Sequence, residues 1–183
     1  MAIELFQKNG FVFTRTEASE YCLEFAIQNN HIDLARVLDL GVLKLIYELN
    51  SDLYEQFHMD KSSDSEAVLV LVMRNLFEEM GLPQRYSHVH MQLVRKPEHN
   101  EVAFVAQSVR SLRPEGVPVE AEQLPMENLV CTCTFSSSHQ VSFACKISFG
   151  PGFSVPLFAE KMVGLISYKM FHRVKQFIEN VRM

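Results

Sequence analysis

The chain has 183 residues, 48% of them apolar, with fourteen Phe, nine Met, no Trp, seven Gly and seven Pro, and a formal net charge of −5. That length and composition give one well-buried core and exclude extended disorder. Residues 1–83 carry 6 Lys/Arg against 14 Asp/Glu and residues 84–183 carry 11 against 8, so an acidic front half argues against a nucleic-acid binder, which needs a basic face for phosphate.

The opening MAIELFQKNG lacks the basic leader and apolar stretch of a secretory signal, and the longest apolar run, AVLVLVM at 67–73, is far short of a bilayer span. The expectation is a cytoplasmic or nuclear protein with no membrane partner. Cys22, Cys131, Cys133 and Cys145 are expected there as reduced thiols, because their number and spacing form no disulfide framework.

In chain order, TRTEASEYCLEFAIQNN places Thr14 three residues before Glu17, the spacing of a capping box, and sets Tyr21, Phe25 and Cys22, Ala26 at helical intervals. This predicts a first helix closed by Asn29 and Asn30. Helical spacing continues through Ile32, Val37, Leu38, Leu45, Ile46, Leu49 and Leu53, with a break or close crossing at Gly41. Ser63 and Glu66 repeat the capping-box spacing ahead of AVLVLVMRNLFEEMGLP, whose Gly81, Leu82 and Pro83 read as a helix stop. A buried helix over 64–80 is the prediction; a strand at 68–73 is the rival that local propensity permits.

From Tyr86 the period becomes two. SHVHMQLV alternates Val89, Met91 and Leu93 against His88, His90 and Gln92, and VAFVAQSV follows after RKPEHN. The predicted hairpin pairs Val94 with Glu101. The stretch 110–127, with three prolines, has no steady period and reads as a long loop. Alternation resumes in LVCTCTF and VSFACKISF, joined by a turn at SSSHQ. The last segment, LFAEKMVGLISYKMFHRVKQFIENVRM, is predicted to be a helix with a main apolar stripe and a second set that includes Phe158, Leu165, Phe171 and Ile178.

Cys131 and Cys133 together with His88 and His90 are right in kind for tetrahedral zinc. Their phases are not: the cysteines alternate with Leu129 and Phe135, on the apolar side, and the histidines alternate against Val89, Met91 and Leu93. In one sheet they lie on opposite faces, so no metal is expected, and His88 and His90 are left as candidates for a pH-sensitive surface contact. No nucleophile elbow, phosphate loop or dinucleotide fingerprint occurs, and SSSH at 136–139 reads as turn chemistry.

These readings give an α+β domain spanning 1–183: an N-terminal helical lobe (about 14–82), then a four-stranded antiparallel sheet of two hairpins with a long C-terminal helix packed on it (about 85–183). No family resemblance, catalytic residue or cofactor is identified. The function expected is a non-enzymatic protein–protein interaction module, a subunit or adaptor of a homo- or hetero-oligomer that docks through Phe158, Leu165, Phe171 and Ile178. The alternative is a carrier of a small apolar ligand held between sheet and helices, lined by the many Phe and Met. A hydrolase or metalloenzyme using His88, His90 or His139 ranks third.

Overall fold

The computed structural model describes residues 2–110 and 112–182. Strands β1 (Ile3–Lys8), β2 (Phe11–Glu17) and β3 (Glu20–Gln28) come first, then two short helices, α1 (Leu34–Val37) and α2 (Gly41–Leu49). Strands β4 (Tyr54–Lys61), β5 (Glu66–Met73), β6 (Arg85–Lys96), β7 (Glu101–Ser108), β8 (Glu122–Gln123), β9 (Met126–Ser137) and β10 (Gln140–Phe149) follow. The chain closes with α3 (Leu157–Asn180).

All ten strands form one sheet in the order β1-β2-β3-β10-β9-β7-β6-β5-β4, with β8 added in parallel beside β6 and every other pairing antiparallel. The expected N-terminal helical lobe and four-stranded sheet are therefore corrected. The two hairpins β6–β7 and β9–β10 are inner members of a much wider sheet, and five further strands and a two-residue one surround them. Among the described residues no helix is long and apolar enough to cross a membrane.

The physical reasons for the correction are local. In β3, Tyr21, Leu23, Phe25 and Ile27 are all buried on one face, a strict alternation that coincides with helical spacing at every second member, as in Tyr21 and Phe25. The supposed capping box lies on strands: Thr14 pairs with Cys22, and Glu17 with Glu20 across a tight turn. Asn9 and Gly10 both have positive φ, 50° and 79°, the backbone of a type I′ turn between β1 and β2. At 66–73 the β-branched run takes the strand conformation, its two faces covered by different layers. Ala67 and Leu69 enter the main core, while Val70 and Val72 meet Tyr86, Val117 and Ala121 on the outer face.

That outer cluster explains the long loop. It folds back over the convex side, where the Arg113 guanidinium donates to the carbonyls of Pro118 (2.6 Å) and Ala121 (2.8 Å) and lies over the Tyr86 ring. In the β6–β7 hairpin Lys96, not Val94, pairs with Glu101. The slip is two residues, so the apolar face is unchanged.

Register lines up whole rows of side chains on the inner face. One runs Phe13, Leu23, Cys145, Cys131, Phe104, Leu93 across six strands. Register shifts in β1–β2, β2–β3, β4–β5 and at both ends of β9–β10 mark bulges, which bend the sheet. α3 lies across the hollow this makes, and α2 packs beside α3.

Gly164 sets how closely α3 approaches the β1–β2 side. A Cβ built there meets Cδ1 of the buried Phe13 ring at 2.7 Å and Cβ of Phe6 at 3.3 Å. Gly164→Ala gains helix propensity of about 1 kcal/mol, yet it must displace a ring stacked on Tyr21. The expected outcome is a net loss of about 1–2 kcal/mol from overpacking, read as a lower urea midpoint with an unchanged m-value.

Candidate functional site

Between the curved sheet and the helices lies a cavity of about 310 Å³. Its floor is the inner face of β2 to β7, β9 and β10, including Leu23, Phe25, Leu71, Val89, Leu129 and Phe143. Its roof comes from Met170, Phe171, Val174 and Ile178 of α3, and one wall from Val42, Leu43, Ile46 and Tyr47 of α2. The volume falls at the lower end of the range of small-molecule pockets, and such pockets are mostly apolar with a few placed polar groups. Stacked rings stiffen the lining: Phe25 on Phe143 (centroids 4.6 Å apart) and Tyr47 on Phe57 (4.9 Å).

A polar tie closes one end. Arg15 reaches Glu160, on the first turn of α3, through two bonds of 2.8 and 3.0 Å, and the Tyr21 hydroxyl donates to the same carboxylate at 2.9 Å. Glu160 is only 4% exposed. Tyr21 lines the cavity, whereas Arg15 and Glu160 line an open groove between the β2–β3 turn and the residues leading into α3. The trio thus stands between solvent and the apolar interior. Burial, and then the hydrogen bond to Glu160, push the Tyr21 phenol up to about 12.

The middle and far end of α3 are tied as well. Asp52 takes Lys169 (2.8 Å) and Arg173, which hold its carboxyl well below the usual range, the Arg173 hydrogen bond contributing most. Buried Asn50 donates to the carbonyls of Ile46 and Met170 and accepts from Arg173. Buried Asn29 donates to the carbonyls of Ile178 (2.6 Å) and Val181 (2.9 Å), satisfying the C-terminal end of the helix. Asn29 therefore ends no local helix; it caps a distant one.

The residues singled out from sequence separate as follows. Phe171 lines the cavity against Phe25 and Ile178 is 2% exposed in the core, so both point inward. Phe158 and Leu165 are 60% and 51% exposed on the outer side of α3. His88 and His90 sit on the outer face of β6 opposite Val70 and Val68, and partial burial lowers the His88 pKa. His139 lies in the β9–β10 turn with Nδ1 2.9 Å from the Ile32 carbonyl oxygen. Among the described residues no three His, Cys, Asp or Glu side chains gather as a metal site.

Cys131, Cys133 and Cys145 share the inner face. Cys131 and Cys145 stand directly opposite in register on the cavity wall with their sulfurs adjacent, while Cys22 and Cys133 are free and buried. Sequence reasoning misses Tyr21, Arg15 and Glu160 as a group, because helical spacing puts two of them in a helix that does not exist.

The sequence matches no protein-family model. It matches no curated protein either. The fold does have solved counterparts. The lipid transfer and protein localization domain of human StarD13 superposes with a TM-score of 0.72 at 8% identity, covering 99% of this chain and 90% of that one. A STAR-related lipid transfer protein fragment from Xanthomonas axonopodis gives 0.70 at 13% identity over 96% of this chain and 97% of that one. Human StAR-related lipid transfer protein 5 gives 0.69 at 16% identity over 97% and 88%. At such identities the likeness is one of fold. It overturns the reading as an adaptor or oligomer subunit and the idea of a protein partner taken up by the C-terminal helix, since that helix turns Phe171 and Ile178 of its second apolar set inward to roof a cavity.

One outcome checks this geometry. A phenol whose pKa is about 12 when folded, against roughly 10 unfolded, stabilises the fold fully below pH 10 and loses that contribution as pH rises through 12. Burial likewise raises Tyr54 to about 12, so Tyr21→Phe should flatten part, not all, of the fall in unfolding free energy between pH 10 and 12.

Proposed function

We propose that this chain is a non-catalytic carrier of one small apolar ligand held beneath α3. The observation that carries the reading is the apolar cavity of about 310 Å³ between sheet and helices, lined by aromatic and aliphatic side chains of eight strands and two helices. A packed core normally leaves no such volume, because interiors fill to crystal-like density. Support comes from the solved structures of the same fold, whose names describe lipid transfer. The lining offers no nucleophile with an oriented base and no metal-ligand cluster among the described residues. Ligand uptake is the chemistry this interior supports, with binding driven by apolar surface removed from water.

The test is native mass spectrometry of the stripped protein incubated with a mixed lipid extract. One lipid per chain is expected. Ala106→Phe, which projects a ring into the cavity from the middle of β7, should lower occupancy at least tenfold while circular dichroism stays unchanged. A wild-type chain that emerges bare from the same mixture overturns the proposal.

A further inference from the structure

The cavity lining carries hydroxyls that the fold does not use. Tyr21 donates to Glu160, and Tyr54 donates to Met170 Sδ at 2.9 Å. Ser87 on the floor, Ser167 on the roof and Tyr47 on the α2 wall have no hydrogen-bond partner among the described residues. Ser87 is conspicuous because its row is otherwise apolar, with Leu71 and Phe57 as its cross-strand neighbours. Three unengaged hydroxyls on three walls of one apolar space form the pattern of a few placed polar groups that orient a ligand.

Charge on the lining decides what kind of ligand. No Asp or Glu lines the cavity, and the single basic residue, Lys146, is exposed, alternating out of phase with the inward Cys145 and Ile147. Arg15 and Glu160 are engaged with each other at the groove side. A carboxylate or phosphate drawn inside would be desolvated with no counter-charge to meet it. A hydroxyl or carbonyl meets groups that suit it, since a serine hydroxyl can donate or accept. Conversely, once an apolar body fills the space and displaces solvent, Ser87 and Ser167 lose any partner unless the ligand brings a polar atom.

We propose that the ligand is an uncharged amphiphile, one chain or one compact ring system, bearing an alcohol or carbonyl group received by Ser87, Ser167 and Tyr47. Volume favours a single apolar body: about 310 Å³ lies at the small end of ligand pockets. This inference rests on the carrier reading, and the experiment separates the two.

Diphenylhexatriene, a hydrocarbon with no polar group, serves as the fluorescent reporter, with 1-hexadecanol, palmitate and dioleoylphosphatidylcholine as competitors at pH 7.5. The reporter should bind and hexadecanol should displace it. Palmitate, of equal chain length but charged, and the two-chain phospholipid should displace it at least tenfold less well. The combined variant Tyr47→Phe, Ser87→Ala, Ser167→Ala should bind the reporter as before and hexadecanol about threefold to tenfold more weakly, the scale of one net hydrogen bond. If the reporter binds but palmitate or the phospholipid competes as well as hexadecanol, or the variant discriminates as the wild type does, the inference is wrong and the carrier reading survives. Failure of the reporter to bind removes both.

Discussion

The structure depends on how α3 is held. A helix laid flat on a sheet is fixed by its buried stripe, and the space beneath it disappears. Here polar ties do much of the holding. They run from Glu160 to Arg15 and Tyr21 at the first turn, from Arg173 and Lys169 to Asp52 and Asn50 midway, and from Asn29 to the last carbonyls. Gly164 lets the helix press against β1 and β2, and the bulged sheet curves away on the other side. With the helix pinned along its length and leaning to one side, the hollow over the inner face of the sheet stays open and α2 screens it.

These ties also cross between the two unevenly charged halves. Asp52 from the acidic front half meets Lys169 and Arg173 from the basic end, and Glu179 of α3 accepts from the Gln28 amide of β3. Asp52 thus joins the two halves by charge, while Arg15 and Glu160 pair across them in the opposite sense. The buried asparagines act similarly without charge: Asn29 and Asn50 each satisfy carbonyls that the end of one helix or the middle of another presents. Each such group is costly to bury alone and stable when its partners are complete.

Legibility in the sequence differs by segment. Strands β6, β7, β9 and β10 announce themselves by alternation, and the opposite phases of the Cys and His pairs place sulfur inside and imidazole outside. The front half misleads for a definable reason. Thr14/Glu17 and Ser63/Glu66 imitate capping boxes, and Tyr21/Phe25 satisfies a helical interval while Leu23 and Ile27 complete the strand one. Asn9-Gly10, the strongest short-range hairpin signal in the chain, is the clue that could have tipped that reading. The stretch 67–72 defeats periodicity because one face meets the core and the other meets Tyr86 of the neighbouring strand and Val117 and Ala121 of the long loop. The cavity itself has no linear signature. Its residues read as ordinary core, and only the suspension of α3 leaves them facing space.

The pairing of β3 with β10 joins residues 20–28 to residues 140–148 and has a consequence for biosynthesis. The N-terminal hairpins have their apolar rows ready early, but the strand that seals them to the rest of the sheet leaves the ribosome last but one among the elements. At roughly 5–20 residues per second, the nascent chain carries Phe11, Phe13, Leu23 and Phe25 without their final neighbours for roughly 6–22 s. Such non-local closure is slow and leaves apolar surface open to aggregation, and in this chain that surface is the inner face of the first three strands.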